Sequence, residues 1–314
     1  MYATPASRFK YLLFIFALLD CGNRVQAQAA PTPAPQAWTE HYRRSTVSFG
    51  RILTVGDKKV FSVIGTGVLV TPDNGKSAFL VTAKHVFDEP SQGWHPTELR
   101  VRFSSQENKS FSEELGSTLQ LTDPKGANLW SALPDGSDIA AIPAPSDFKG
   151  LMTDAIGYQD FAESDDVYDG ATVFVFGYPG DVSPLIGQNG LVRAITRSGT
   201  IAWTDPTGPL DNALLLDSNI LPGNSGGPAF KVPTGLTKYG SFSVGGRVAF
   251  LGIVTADLSE YYVVTADGRV VQLQFPDLPK PSIAQVGVVG IGGLGRVEPA
   301  SKVKKLVDSL LSKN

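Results

Sequence analysis

Short apolar runs separated by glycine and proline occur along most of the chain and constrain its fold more than any other feature. The 314 residues include 33 glycines and 22 prolines. Runs such as AFLVTA at residues 78–83 and ATVFVF at 171–176 are rich in β-branched and aromatic residues and have the length of buried strands. Glycine and proline between such runs form turns. The pattern predicts an all-β protein.

The strongest functional candidate is a serine between glycines, in the sequence GNSGGP at residues 223–228. Glycines allow a tight turn that exposes backbone N–H groups. A serine hydroxyl becomes a good nucleophile only beside a base, and an oxygen that turns anionic during attack needs donors already aimed at it. The amides of Gly223 and Ser225 are the candidate donors. A simple turn between two strands has a similar composition. The presence of a suitable base therefore decides whether Ser225 is a nucleophile or only a turn residue.

Three histidines are available as that base: His41, His85 and His95. His41 lies in the charged sequence EHYRR, which is typical of a solvated surface. His95 lies in GWHP, where glycine and proline indicate a loop. His85 follows the apolar run at residues 78–83 and begins a turn. A histidine at the end of a buried strand is held rigidly and still reaches a cleft, so His85 is the candidate base.

A carboxylate that orients the histidine completes the candidate set. Asp138 begins the apolar sequence DIAAI at residues 138–142, and an acid at the entrance to a buried strand is costly unless it is paired. Asp135 is the alternative, but turn formation alone explains its position in the sequence PDG. We therefore assign His85, Asp138 and Ser225 as the candidate catalytic residues.

The order of these residues along the chain separates classes of hydrolase. A nucleophile elbow of the α/β-hydrolase type requires its histidine after the serine, and all three histidines precede Ser225. The subtilisin order requires an aspartate before His85, where Asp57 and Asp73 have the surroundings of turn residues. The order histidine, aspartate, serine is the chymotrypsin-like one.

The three blocks LVTAKHV (residues 80–86), DIAAI (138–142) and GNSGGP (223–228) resemble the active-site blocks of trypsin-like serine peptidases, and most of all those of the bacterial Deg/HtrA branch. The sequences GTGVLV (65–70), VFVFGYP (173–179) and RSGTI (197–201) extend the resemblance, which covers roughly residues 45–312. It implies two antiparallel β-barrels with a C-terminal helix, polypeptide substrates, and neither a metal nor an organic cofactor.

Five segments are expected along the chain. They are a signal peptide (1–27), an extended Ala/Pro-rich linker (28–38), a first β-barrel with His85 and Asp138 (39–155), a second β-barrel with Ser225 (156–298) and a helix (299–314). The helix is predicted from apolar residues three and four positions apart: Val303, Leu306, Val307, Leu310 and Leu311. The length after Ser225 leaves no room for the PDZ domains of typical Deg/HtrA proteins.

The beginning of the chain has the layout of a secretory signal. Arg8 and Lys10 precede an apolar run at residues 11–19, and small residues follow at Ala27 and Ala29. A membrane span needs about 20 apolar residues, so the run is too short for one. We expect a secreted or periplasmic bacterial protein with no stable membrane insertion after signal removal. Its single cysteine, Cys21, lies in the signal, so the mature chain has no disulfide.

The charge balance excludes a polyanion-binding role. The chain has 27 basic and 30 acidic residues and a net charge of −3. It therefore lacks the surplus of basic residues that would predict binding to nucleic acid or to an anionic membrane. An acidic cluster lies at residues 163–169 and consists of Glu163, Asp165, Asp166 and Asp169. A calcium site and a solvated acidic turn are the alternatives there, and the spacing does not match an EF-hand.

Substrate preference is predicted from the resemblance. Asn219, six residues before Ser225, occupies the position that often forms the base of the primary specificity pocket. Because it is neutral, it argues against a strict preference for Lys or Arg, whose charge requires a carboxylate in a closed pocket. Ile253, Val254 and Thr255 lie on the strand expected to form the pocket wall and to pair with the substrate backbone.

The residue before the serine distinguishes the chain from digestive trypsin-like enzymes. In those enzymes an aspartate at this position pairs with an amino terminus released by cleavage, whereas this chain has the neutral Asn224.

The leading hypothesis is a serine endopeptidase. The alternatives are a binding or regulatory protein whose oxyanion loop is inactive or partner-activated, and a secreted esterase that uses the same three residues.

Overall fold

The computed structural model describes most of the chain from residue 35 onward. The described ranges are 35–72, 77–103, 117–146, 154–180, 193–257, 260–265, 270–273, 285–291 and 293–312. By its contacts the chain divides into a first unit, Met1–Trp38, and a compact unit, Thr39–Asn314. The predicted signal peptide at residues 1–27 lies outside the described residues. No helix in the described ranges is long and apolar enough to cross a membrane.

The described elements are mainly strands. The strands are β1 (Thr46–Val55), β2 (Lys58–Thr71), β3 (Phe79–Thr82), β4 (Glu98–Phe103), β5 (Ser117–Gln120), β6 (Ser131–Ala132), β7 (Ala140–Pro143), β8 (Ile156–Gly157), β9 (Thr172–Gly177), β10 (Ile195–Trp203), β11 (Leu214–Asp217), β12 (Pro228–Lys231), β13 (Thr234–Leu236), β14 (Phe242–Val244), β15 (Ala249–Asp257), β16 (Glu260–Thr265), β17 (Val270–Leu273), β18 (Gln285–Ile291) and β19 (Leu294–Pro299). The α-helices are α1 (Pro35–Arg44), α2 (Lys84–Phe87) and α3 (Ala300–Leu311), and short 3₁₀ turns span Pro90–Gln92 and Tyr158–Asp160.

The first sheet is a curled half-barrel. Its strand order is β5-β4-β1-β2-β3-β7-β6, and β8 pairs with β2. All four residues of β3 are buried, because this strand lies in the middle of the sheet between β2 and β7. Apolar side chains from these strands, including Phe49, Leu69 and Leu80, form one core cluster. This core fixes the ends of β3 and β7, next to which His85 and Asp138 lie.

The second sheet is a closed barrel of strands β10-β11-β19-β15-β12-β9. Every pairing in it is antiparallel. Its core includes Val173, Val175 and Ile201, which lie on β9 and β10. Closure leaves no free sheet edge along the paired strands. The predicted all-β architecture is confirmed, and the fold is chymotrypsin-like.

Two small sheets are added to this frame. The hairpin β13–β14 lies within residues 231–244, and β17-β16-β18 form a three-stranded sheet after β15.

The C-terminal helix is present as predicted from its apolar spacing. Val303, Leu306, Val307 and Leu310 of α3 are buried, and α3 contacts β6 and β7 of the first sheet as well as β15 and β19 of the second.

Helix α1 differs from the sequence-based expectation. An extended linker was predicted up to residue 38, but α1 begins at Pro35, a residue that suits the first turn of a helix. The C-terminal half of α1 is held by charged contacts. His41 Nδ1 lies 3.0 Å from Asp154 Oδ1, and Arg44 Nε donates to the other oxygen of the same carboxylate.

Three members of the acidic cluster at residues 163–169 are paired with basic side chains. Asp166 is buried, and its carboxylate accepts hydrogen bonds from Arg247 Nη2 (2.6 Å), Lys231 Nζ (3.3 Å) and the Glu163 amide (3.0 Å). Asp165 is exposed and pairs with Lys238. Asp165 and Asp166 therefore face protein cations, whereas Asp169 accepts a hydrogen bond from the Thr204 hydroxyl. The expectation of a solvated turn holds for Asp165 but not for Asp166.

Replacement of Asp166 by alanine is expected to destabilise the second barrel. The change leaves the Glu163 amide without its acceptor and removes the buried carboxylate that pairs with Arg247, at a cost of roughly 2 kcal/mol because Arg247 is partly solvated and keeps its hydrogen bonds to two backbone carbonyls. Urea unfolding measures this difference. Asp165→Ala, which removes an exposed pair, is the control and should cost less than about 1 kcal/mol. Equal losses in the two variants would contradict this account of the cluster.

Candidate active site

Two neighbouring strands of the first sheet bring His85 and Asp138 together. β3 and β7 are antiparallel, and Thr82 at the end of β3 lies opposite Ala140 at the start of β7. His85 follows β3 by three residues, and Asp138 precedes β7 by two. Because antiparallel pairing places the end of one strand beside the start of the other, both side chains lie at the same edge of the sheet.

The contact between His85 and Asp138 uses both carboxylate oxygens. Asp138 Oδ2 lies 2.7 Å from His85 Nδ1, and Asp138 Oδ1 accepts a hydrogen bond of 3.0 Å from the His85 amide. An ionised carboxylate can only accept, so Nδ1 of the neutral imidazole carries the proton. The lone pair of Nε2 is then available to accept a proton from another group. Both side chains are about one-third exposed, so solvent reaches the pair.

Thr66 of β2 fastens the loop that contains Ser225 to the first sheet. The Thr66 amide donates to the Ser225 carbonyl (2.8 Å), and the Thr66 hydroxyl donates to the Gly223 carbonyl (2.6 Å). The same hydroxyl accepts a hydrogen bond from the Tyr178 amide (2.9 Å), and the Thr66 carbonyl accepts one from Thr82 Oγ1 (2.6 Å). Thr66 is fully buried. Two of these four hydrogen bonds hold the serine loop, and the other two fix Thr66 against its neighbours Thr82 and Tyr178.

Gly226 brings the serine loop close to the strand that leads to His85. It has φ +86°, and a Cβ atom there would collide with the Thr66 carbonyl and the Thr82 hydroxyl and would lie 3.0 Å from the Ala83 amide. Only glycine allows both this backbone conformation and this approach. The residue after Ser225 therefore packs against residues 82–83, which precede His85 by two to three positions in the chain.

The amides of the serine loop divide into two sets. The first set has acceptors within the protein. The Asn224 amide donates to the Leu221 carbonyl (3.0 Å), the Gly226 amide to the Val254 carbonyl (2.6 Å), and the Gly227 amide to the Asn224 carbonyl (2.8 Å). The amides of Gly223 and Ser225, the two candidate oxyanion donors, have no acceptor among the described residues. Both residues are partly exposed. Two backbone donors one residue apart are consequently free to bind an acceptor from outside the protein.

The orientation of the first of these amides is fixed by its neighbour. The Pro222 carbonyl accepts a hydrogen bond of 3.0 Å from the Gly180 amide. Because the peptide unit is planar and trans, its C=O and N–H groups point in opposite directions, so the Gly223 N–H points away from Gly180. Gly223 has φ +94°, and a Cβ atom there would lie 2.6 Å from the Tyr178 carbonyl. Glycine is therefore required at this position.

Asn224 is buried beneath the serine loop. It is 1% exposed, and its Nδ2 atom has no hydrogen-bond partner among the described residues. Its Oδ1 atom occupies the space that a Cβ atom at Gly177 would enter. An ionised aspartate in this position would be costly without a cation beside it, whereas the neutral amide needs none. The geometry of the loop is held by Thr66 and Gly180 instead.

The predicted substrate-binding residues occupy two different environments. Ile253 and Val254 are fully buried in β15, which lies between β12 and β19, so both edges of the strand are paired there. Beyond Val254, no described strand pairs with the β12 side of β15. Thr255 begins this unpaired section and is itself 4% exposed. Asn219 is exposed, and its backbone carbonyl accepts a hydrogen bond of 2.7 Å from Arg197 Nη1.

The remaining histidines lie away from this arrangement. His41 is paired with Asp154, and His95 is exposed and paired with Asp88. In the described ranges, no group of three or more His, Cys, Asp or Glu side chains is placed to hold a metal ion.

Three residues that position the serine loop were not identified from the sequence. They are Thr66, Tyr178 and Gly180, and they belong to the conspicuous sequences GTG and GYPG. The glycines beside Thr66 indicate close packing of the backbone. No pattern in the sequence, however, indicates which loop packs there.

A half-barrel and a closed barrel, followed by a C-terminal helix, define the chymotrypsin-like fold. The family model of the trypsin-like peptidase domain matches residues 65–236, which is more than half of the chain. The chain belongs to this family. No match was found among curated proteins.

Solved structures of bacterial proteases are similar to the chain. The serine endoprotease from Yersinia pestis is 16% identical, with a TM-score of 0.46, and the match covers 90% of this chain and 68% of that one. An inactive serine-to-alanine mutant of Rv3671c from M. tuberculosis is 15% identical, with a TM-score of 0.44, and the match covers 90% and 96% of the two chains.

Removal of the Thr66 hydroxyl is expected to loosen the serine loop. Thr66→Val leaves the Gly223 carbonyl and the buried Tyr178 amide without their partner, and the expected loss of unfolding free energy is about 2–4 kcal/mol. Thr66→Ser keeps the hydroxyl, loses one buried methyl group and should cost only about 1 kcal/mol. Urea unfolding of the two variants compares these values. The anchoring role would be refuted by a valine variant as stable as the serine variant.

Proposed function

We propose that the chain is a serine endopeptidase that uses Ser225 as nucleophile, His85 as general base and Asp138 as the residue that orients His85. Family membership supports polypeptide substrates. The contact of 2.7 Å between Asp138 and His85 Nδ1 supports the assignment of the base, because it leaves Nε2 as the proton acceptor.

One observation supports an active enzyme most strongly. In the serine loop, the amides of Gly223 and Ser225 alone remain without an acceptor among the described residues, while the three other amides of residues 223–227 are all used. This pattern matches a preformed oxyanion hole, in which two fixed donors await the developing charge. It argues against the alternative of an inactive loop that a partner must first rearrange.

The proposed reaction proceeds through an acyl-enzyme. Ser225 Oγ attacks the carbonyl carbon of the scissile peptide bond while His85 Nε2 takes the hydroxyl proton, and the amides of Gly223 and Ser225 stabilise the oxyanion. The C–N bond then breaks, and His85 returns the proton to the leaving amine. A water molecule, deprotonated by His85, attacks the acyl carbon, and the bond between this carbon and Ser225 Oγ then breaks as His85 returns the proton to Oγ, which releases the acid product. Asp138 keeps its charge throughout and stabilises the imidazolium.

The free edge of β15 is the proposed binding site for the substrate backbone. Ile253 and Val254 are paired on both edges, so we place the contact at Thr255 and the residues that follow it, up to Asp257. An extended peptide can add to such an edge as a further strand. This geometry favours a peptide over a small ester, which has no strand to pair.

We also propose that the protein acts outside the cytoplasm, in the bacterial periplasm or the medium. The support is the charged and apolar pattern of residues 1–27. Detection of the processed chain in a periplasmic or culture fraction would test the location.

A fluorophosphonate probe tests the proposed nucleophile directly. The chain without residues 1–27 should be labelled at Ser225, and hydrolysis of a denatured protein substrate should fall roughly 10⁴–10⁶-fold in Ser225→Ala. Mass spectrometry of the digest identifies the cleaved bonds and separates peptide hydrolysis from ester hydrolysis. Absence of Ser225-dependent labelling would refute an active hydrolase, whereas labelling without cleavage of peptide bonds would favour the esterase.

A further inference from the structure

Arg197 is a basic residue that points into the second barrel. On β10 it alternates with Gly199 and Ile201 on one face of the strand, and Ile201 belongs to the barrel core. Its partner on β9 is Val175, another core residue. Because directly opposite residues in a sheet share a face, the Arg197 side chain begins inside the barrel. An arginine at such a position needs a specific partner.

The guanidinium of Arg197 reaches the loop that leads to Ser225. Nη1 donates to the Asn219 carbonyl at 2.7 Å, whereas Nε is buried and has no hydrogen-bond partner among the described residues. The edge formed by Nε and Nη2 is the one that pairs side-on with a carboxylate. That edge has no protein acceptor within the described ranges.

The charge of Arg197 is not neutralised by a carboxylate of the described residues. No ion pair between Arg197 and a carboxylate occurs among the described residues, and burial lowers its pKa from the ordinary value with no opposing contribution from an acid. An arginine nevertheless stays protonated at neutral pH. A second unpartnered group, the Oγ atom of Ser218, is buried nearby, since a Cβ atom at Gly199 would lie 2.7 Å from Ser218 Cβ.

The Arg197 guanidinium is connected to the nucleophile by a short and well-anchored loop. The loop runs from Ser218, whose amide donates to Gly293, through Asn219 to Ser225. Asn219 is exposed and Arg197 is partly exposed, so solvent reaches this end of the barrel. The sequence predicted Asn219 as the base of the primary specificity pocket, and the structure places a cation at its carbonyl.

We propose that Arg197 binds the side-chain carboxylate of the substrate residue that precedes the cleaved bond, so that the enzyme cleaves preferentially after glutamate or aspartate. The proposal rests on the proposed peptidase function. In the conformation described, a carboxylate would accept a hydrogen bond from Nη2, whereas Nε and Ser218 Oγ are buried and would reach it only after the guanidinium turns. Such a pair neutralises a partly buried charge.

The same charge disfavours basic substrate residues. A Lys or Arg side chain would meet a cation of the same sign, and no carboxylate of the described residues lies beside Arg197 to pair with it. The neutral Asn219 argues only against a strict preference for Lys or Arg. The positive charge of Arg197 beside it would in addition repel these residues. If Arg197 only braces the loop through the Asn219 carbonyl, its loss should affect all substrates alike.

The test uses three peptides that differ only in the residue before the cleaved bond, which is Glu, Gln or Lys. For the mature protein we expect kcat/KM to be roughly 10–100-fold higher for Glu than for Gln, because the two are nearly isosteric and differ in charge. In Arg197→Gln the ratio of kcat/KM for the Glu peptide to that for the Gln peptide should fall to about 1, mainly through a rise in KM for the Glu peptide. Arg193→Gln, which removes an equal charge from a residue paired with Glu40, should keep the preference.

Fluorophosphonate labelling and peptide binding separate the two levels of the proposal. Labelled protein that does not prefer Glu, or an Arg197→Gln variant that keeps the preference, would overturn the role of Arg197 and leave the peptidase function intact. Binding of uncleaved Glu and Gln peptides to Ser225→Ala, measured by calorimetry, does not depend on catalysis. Tighter binding of the Glu peptide supports the proposal even if labelling fails, and equal binding refutes it.

Discussion

The hydrogen bonds of Thr66 are the interaction on which the candidate site depends. One buried residue in the first sheet holds the carbonyls of Gly223 and Ser225, two residues of a loop in the second barrel. The strand that contains Thr66 pairs with β3, which leads to His85. The serine loop is therefore held against the strand that leads toward His85 by one backbone hydrogen bond and one hydroxyl hydrogen bond of a fully buried residue.

This anchoring explains how the loop remains ordered with a neutral residue before the serine. An aspartate in place of Asn224 would need a cation in the core, whereas here the Pro222 carbonyl is held by Gly180 and the Gly223 carbonyl by Thr66. The two successive peptide units are fixed from outside the loop. Among the described residues the Gly223 N–H has no acceptor, while the Asn224 N–H of the second unit donates to the Leu221 carbonyl.

The sequence predicted the parts of the molecule that local patterns encode. Buried strands such as β3 and the apolar face of α3 are evident from spacing alone, and the order of His85, Asp138 and Ser225 follows directly from the chain. Two features depended on tertiary contacts and were not predicted. The start of α1 at Pro35 falls in a segment whose composition favours an extended linker, and the use of both edges of β15 at Ile253 and Val254 follows only from barrel closure.

The role of Arg197 shows the same division between local and tertiary information. Its alternation with Ile201 is visible in the sequence and indicates an inward-facing charge. Its partner, the Asn219 carbonyl, lies 22 residues away and is identified only in the folded barrel. Charged residues at inward positions of a strand are expensive, which makes them informative candidates once the fold is known.

A crystal structure of the fluorophosphonate adduct tests the central claim most directly, because it shows nucleophile and oxyanion donors together. We expect a phosphorus atom bonded to Ser225 Oγ, with one phosphoryl oxygen about 2.7–3.1 Å from the amides of both Gly223 and Ser225. The Thr66 hydroxyl should keep its hydrogen bond to the Gly223 carbonyl. A phosphoryl oxygen that points away from these amides, or an adduct on another residue, would contradict the claim.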